Sequence, residues 1–142
     1  MGAIQIYGGN RLKGEVKIQG SKNAVLPILA AALLINGTCI IENVPMISDV
    51  HHMLILLESL CCVIERKNHT LIINSQNLSR CDMPSDSVGV MRSSIMLLGA
   101  LLARVGNVGM QYPGGCVIGE RPIDLHLEAL RKMGVVIEER QD

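Results

Sequence analysis

The chain has 142 residues, 13 basic and 13 acidic side chains, and a hydrophobic content of 49%. That is about one domain with no net charge, which excludes a disordered chain and gives no global bias towards nucleic acid or anionic membranes. With two Tyr, no Phe and no Trp, the core must be built from Leu, Ile, Val, Met and Ala, and almost no aromatic surface remains for stacking bases.

Residues 1–20 come first. The stretch "IQIYGGNRLKGEVKIQG" reads as two short strands around a Gly-Asn turn, a hairpin that is barely stable alone in water. Lys13, Glu15 and Lys17 fall where the apolar run of a signal peptide would have to lie. From Ser21, "SKNAVLPILAAALLING" predicts a buried helix closed by Gly37, and its apolar run is too short to span a bilayer and contains Pro27. "TCIIENV" predicts a strand. "SDVHHMLILLESL" predicts an amphipathic helix, with Ser48 or Asp49 as cap and Met53, Leu54, Leu57 and Leu60 on one face. "CVIERK", the turn "NH" and "TLIINS" predict a hairpin.

Residues 85–142 repeat the pattern of residues 21–84. "SVGVMRSSIMLLGALLARVG" predicts a helix, "NVGMQYP" a strand, "IDLHLEALRKMG" a helix with Leu127, Leu130 and Met133 inward and Gly134 as its stop, and "VVIEER" a strand. "LLESLCCVIER" aligns with "ALRKMGVVIEE" at a spacing of 73 residues, whereas the helix starts at Lys22 and Arg92 are 70 apart. The second copy therefore holds three extra residues, and they fall in the loop carrying Cys116, where function tends to be placed. It also stops before the return strand that closes the first copy. The expectation is a chain that is the front part of something longer, with unpaired strands through which it could self-associate.

Five cysteines, no C-x-x-C and no secretion signal predict a cytosolic chain with reduced thiols. Cys116 follows Gly114 and Gly115 and precedes Arg121, a cation that can lower a thiol's pKa. It reads either as a small residue beside a turn or as a functional thiol. The other four cysteines read as structural. Lys22 and Asn23 stand at a predicted helix start, a natural anion site or simply a solvated cap, and Arg92 occupies the matching place in the second copy. Arg121 adds a guanidinium suited to phosphate or carboxylate. Asp124 favours a first helical turn in any case, and His126 reads as a half-buried helix residue, like His51 and His52. Metal-ligand spacing and nucleotide fingerprints are lacking. A Cys116–His126 hydrolase is conceivable, but no oxyanion hole is marked.

"GSKNAVLPILAAALL", "MRSSIMLLGALLAR" and "PGGCVIGERPIDLH" resemble, in order along the whole chain, the UDP-N-acetylglucosamine 1-carboxyvinyltransferases, the enolpyruvyl transferases of the first committed step of peptidoglycan synthesis. The related enolpyruvylshikimate-phosphate synthases share the repeat architecture but lack this cysteine loop. The resemblance implies an α/β fold, an inside-out α/β barrel of which the chain holds the N-terminal strands (residues 1–20, normally part of the other domain) and about two of three repeats of one domain. It implies phosphoenolpyruvate and UDP-N-acetylglucosamine as substrates, no cofactor, no metal, no nucleic acid and no membrane. Lys22 would hold the phosphoenolpyruvate phosphate, Asn23 would contact the sugar nucleotide or the intermediate, and Arg121 would bind phosphoenolpyruvate. Arg92, Pro122, Asp124 and Leu125 would line the UDP-sugar site. Cys116 would be the general acid or product-release residue and the thiol that fosfomycin alkylates. The family's aspartate base and a further arginine have no counterpart in these residues. The alternative is an inactive fragment or small paralogue that serves only as a binding or assembly module.

Overall fold

The structure is a computed structural model that describes residues 3–79, 83, 92–112 and 122–140. Helix α1 spans Lys22–Ala32, and its inward face is read directly from the apolar spacing: Val25, Leu26, Leu29, Ala30 and then Leu33 are buried. Pro27 sits inside it. A proline there has no N–H for the carbonyl four residues back, which is that of Asn23, so the helix start is opened at that residue. The chain enters α1 through Gly20, where a Cβ would lie 2.2 Å from the Asn43 carbonyl oxygen. No other residue fits that approach, which presses the start of α1 against the segment leading into the next helix.

Strand β1 (Thr38–Ile41) follows, then helix α2 (Ser48–Ser59), then strands β2 (Val63–Lys67) and β3 (Thr70–Asn74). The three strands form one antiparallel sheet in the order β1-β3-β2, with Cys39 and Ile64 both opposite Ile73, and Ile41 and Arg66 both opposite Leu71. Alternation puts Leu71 and Ile73 of the central strand fully inward, against the helices. The two-residue turn at Asn68 (φ 53°) and His69 matches the expected hairpin. It is tied to the chain before α2 by Val44 N–H to the His69 carbonyl (2.7 Å) and by a contact of His69 Nδ1 with the Val44 carbonyl (3.0 Å).

Helix α2 buries Val50, Met53, Leu54, Leu56 and Leu57, a wider stripe than the expected face, with Leu60 buried just beyond its end. Neither Ser48 nor Asp49 caps it through its side chain. The cap position is Ile47, and Ser48 is already helical. At the other end Cys61 N–H reaches the Glu58 carbonyl (3.0 Å) and Cys62 N–H the Leu57 carbonyl (3.1 Å), a Schellman closure with Cys61 in the left-handed region at φ 67°.

In the second copy a 3₁₀ turn over Arg92–Ile95 leads into helix α3 (Met96–Val105), which ends at Gly106 and buries Leu97, Ala100 and Leu101 against α1. The expected helix is thus a tighter turn at Arg92–Ile95, and its residues 87–91 lie outside the described ones. Arg104 near the end of α3 donates to Asn36 Oδ1 (3.3 Å) and to the Ser75 carbonyl (3.4 Å), joining the two copies. Helix α4 (Asp124–Lys132) has the same Schellman closure as α2: Gly134 N–H to the Arg131 carbonyl (2.9 Å) and Val135 N–H to the Leu130 carbonyl (3.1 Å), with Gly134 at φ 92°. The 73-residue spacing is therefore a spacing of geometry as well as of letters.

Three expectations need correction. Residues 3–20 form no strand, and Ile4, Ile6, Leu12, Val16 and Ile18 are exposed, because period-two alternation makes a strand only where a partner accepts its hydrogen bonds and none of the described residues does. Residues 107–112 and 135–140 are not strands either, although Val136 and Ile137 keep the exposed and half-buried alternation of Val63 and Ile64 in β2. Met133 is 80% exposed rather than inward. Among the described residues no helix is long and apolar enough to cross a membrane, and no group of three or more His, Cys, Asp or Glu could hold a metal ion.

Candidate functional site

The helix starts gather the candidate residues. Lys22 stands at the start of α1 and Arg92 at the start of the turn leading into α3, while Arg104 ties the far ends of these two contacting helices together. Neither α1 nor the turn and helix opened by Arg92 has an acidic residue in its first turn. Each start instead places a cation beside the positive end of a helix dipole, an arrangement that is unfavourable for the chain alone and favourable with an anion bound.

Each cation also reaches the start of the next helix in its own copy. Lys22 Nζ lies 2.7 Å from Asp49 Oδ1 in the first turn of α2. Arg92 Nη2 donates to the Pro122 carbonyl at 3.5 Å, just before α4. Asp49 and Pro122 are 73 residues apart, so the two contacts are equivalent in the repeat. Asp49 is not among the sequence-predicted site residues and is expected there only as a cap. The signal that finds it is its alignment with Pro122, one of the residues assigned to the UDP-sugar site.

Of the sequence-predicted residues, the structure brings Arg92 and Pro122 into contact and places Lys22 and Asn23 at the exposed start of α1. Asp124 and Leu125 open α4, and both are exposed, Leu125 at 84%. His126 is exposed as well. Cys116 and Arg121 lie outside the described residues.

Tyr112 is the last described residue before that stretch. Tyr112 donates its hydroxyl to Glu139, and Glu139 also takes an ion pair from Arg131 of α4. The hydrogen bond to the carboxylate pushes the Tyr112 phenol above its ordinary range, and the same bond, with Arg131, holds the Glu139 carboxyl below its own.

Three cysteines, Cys39, Cys61 and Cys62, lie among the described residues. Cys62 is buried, and burial first, then neighbouring Cys61, raises its thiol to about 11, with Arg104 opposing. It therefore stays protonated and unreactive at neutral pH. Cys61 is exposed and accepts a hydrogen bond from the Ser79 hydroxyl (3.2 Å), and Cys39 is half-buried in β1.

The profile of one protein family, described as EPSP synthase (3-phosphoshikimate 1-carboxyvinyltransferase), matches residues 6–142. The chain belongs to that family. It is 45% identical over 139 residues to UDP-N-acetylglucosamine 1-carboxyvinyltransferase 2 of Caldanaerobacter subterraneus subsp. tengcongensis, covering 98% of this chain and 33% of the relative. It is 49% identical over 140 residues to UDP-N-acetylglucosamine 1-carboxyvinyltransferase 1 of Symbiobacterium thermophilum, covering 95% and 32%. The chain spans about a third of the length of these curated relatives. Among solved structures it resembles the enolpyruvyl transferase NikO from Streptomyces tendae, with a TM-score of 0.62 at 29% identity over 68% of this chain and 23% of that one. The fold is that of the enolpyruvyl transferases, here a partial domain of helices packed on a small sheet.

Proposed function

We propose that the protein containing this chain transfers the enolpyruvyl group of phosphoenolpyruvate to UDP-N-acetylglucosamine, releasing phosphate, as the first committed step of peptidoglycan synthesis in the cytoplasm. The observation that carries this reading is the 45–49% identity, along almost the whole chain, to relatives bearing that name. The helix starts support it: two cations at dipole-positive ends favour a pair of anionic substrates.

In this reading Lys22 and Arg121 hold phosphoenolpyruvate through its phosphate and carboxylate, and they stabilise the phosphate as it leaves. Asn23, whose carbonyl is relieved of its helical partner by Pro27, contacts the sugar nucleotide. Arg92, Pro122, Asp124 and Leu125 line the UDP-sugar. Cys116 delivers a proton to the methylene carbon of phosphoenolpyruvate while the sugar hydroxyl adds to the neighbouring carbon. Loss of a proton from the new methyl group and departure of phosphate then restore the double bond. The base for the sugar hydroxyl, an aspartate by resemblance, and a further arginine belong to the two thirds of the relatives that this chain does not span.

Phosphate release from the two substrates tests the reading, measured on a reading frame of the relatives' length that contains these residues. Cys116→Ala is expected to lower turnover about 100-fold or more, the scale of a lost general acid. The 142 residues alone are expected to stay at the level of a heat-killed control. Unchanged turnover in Cys116→Ala, or turnover by the 142 residues alone, contradicts the assignment.

A further inference from the structure

Asp49 lies outside the residues assigned to substrate, and two features of the fold bring it to Lys22. The first is how far helix α2 extends. At the 73-residue spacing α2 and α4 end at equivalent residues, Ser59 and Lys132, but α2 begins at Ser48 whereas α4 begins at Asp124, the equivalent of His51. Helix α2 therefore has three more residues at its start, and Asp49 is one of them. In the second copy the matching Pro122 and Ile123 precede the helix, and a proline side chain has no acceptor atom. The carboxylate is thus particular to the first copy and is not required by the shared backbone.

The second feature is a backbone contact. Gly20 stands two residues before Lys22, and a Cβ there would meet both the Asn43 carbonyl oxygen (2.2 Å) and Pro45 Cδ (3.2 Å). Asn43 is itself in the left-handed region at φ 55°, and Pro45 is buried. The chain entering α1 therefore lies against the chain entering α2, which keeps Lys22 and Asp49 within reach of each other. The first turn of α1 has no acid of its own, so the counter-charge of Lys22 comes from α2, at 2.7 Å. A lysine ammonium carries three donors on a flexible four-carbon stem, and an anion that binds it free must also localise that stem.

We propose that Asp49 is a positioning residue for phosphoenolpyruvate: its carboxylate holds the Lys22 ammonium at the start of α1 and leaves two N–H donors for the anionic group of the substrate. Asp49 touches no substrate in this account and acts through Lys22 alone. The identity of the anion rests on the enolpyruvyl-transfer reading, whereas the pairing is a property of these residues.

The test is steady-state phosphate release by a protein of the relatives' length containing these residues, as wild type, Asp49→Ala, Lys22→Ala and the double variant. Asp49→Ala is expected to raise KM for phosphoenolpyruvate about fivefold, the upper end for a partly exposed pair, and to leave KM for UDP-N-acetylglucosamine within about twofold. In the Lys22→Ala background, Asp49→Ala is expected to change kcat/KM for phosphoenolpyruvate by less than about twofold. A weaker start of α2 lowers the urea midpoint in both backgrounds and does not distinguish the two substrates, so a structural role alone gives neither result. An unchanged KM for phosphoenolpyruvate in Asp49→Ala overturns the proposal. A fall in that KM also overturns it, because repulsion of the anion by the carboxylate then outweighs its hold on Lys22. So does an equal rise in both KM values, or an undiminished effect of Asp49→Ala without Lys22. If Lys22→Ala is too slow for the cycle, the split between the two KM values decides alone. Failure of the enolpyruvyl-transfer reading shows separately, as a wild-type protein that releases no phosphate from the two substrates, and the role of Asp49 falls with it.

Discussion

Helices α2 and α4 are the same element built twice, and they do different work. Both close through Schellman motifs at equivalent residues, and both start beside a cation, Lys22 of α1 or Arg92 of the 3₁₀ turn before α3. Leu54 and its equivalent Leu127 are equally buried, at 7% exposure. Towards the helix ends the two diverge: Leu60 is fully buried, and its equivalent Met133 is 80% exposed. Leu127 and Ile123 are buried but stand apart from the continuous core that takes in α1, α2, α3 and the sheet. The first copy is thus built as scaffold around its own hairpin, whereas the described residues of the second carry exposed ion pairs beside a small buried patch. A repeat duplicates backbone geometry more faithfully than it duplicates packing.

The largest expected effect separates the two helices by their cores. Leu60→Ala should destabilise the chain by about 2–5 kcal/mol, whereas Met133→Ala should change stability by less than about 0.5 kcal/mol. Urea unfolding followed by far-ultraviolet circular dichroism reads both, and equal losses would erase the distinction. A smaller effect probes the shared closure. Cys61→Gly should stabilise by about 0.5–1 kcal/mol, because Cys61 holds φ 67° that glycine adopts without strain. Gly134→Ala should destabilise by a similar amount, and opposite signs in this pair are the signature of one motif carried by two residue types.

The smallest effect is a pH dependence particular to the first copy. The Cys62 thiol is raised from 9.0 to about 11 by burial, so the folded state keeps a proton that the unfolded chain releases first. Stability from this group is complete below pH 9 and is lost as pH rises through 11. The urea midpoint should fall over that window in the wild type, with a shallower fall in Cys62→Ala. An identical fall in both would assign the alkaline loss to other groups.

Much of the first copy was legible in the sequence because its signals are local. The turn at Asn68–His69 and the alternation on either side specify the hairpin, and the spacing from Val50 to Leu57 specifies α2. The strands expected at residues 3–20, 107–112 and 135–140 were misread for one physical reason. Alternation such as Ile4, Ile6 and Val16, Ile18 records which face a strand would bury, but hydrogen-bond pairing is a relation to another segment that a local pattern does not contain. The candidate site divides in the same way. Lys22, Asn23 and Arg92 could be found as helix starts, and Cys116 from its glycines and the three-residue excess. Asp49 and the Tyr112–Glu139 contact were not seen, since each joins residues 27 apart that belong to different elements.

The proposed function puts the reactive thiol, Cys116, in the second copy and leaves the cysteines of the first copy without a chemical role. Site-resolved mass spectrometry after fosfomycin treatment tests it most directly, on a protein of the relatives' length containing these residues, with UDP-N-acetylglucosamine present. The account predicts a single adduct on Cys116 and none on Cys39, Cys61 or Cys62. An adduct on exposed Cys61 with Cys116 untouched would contradict it.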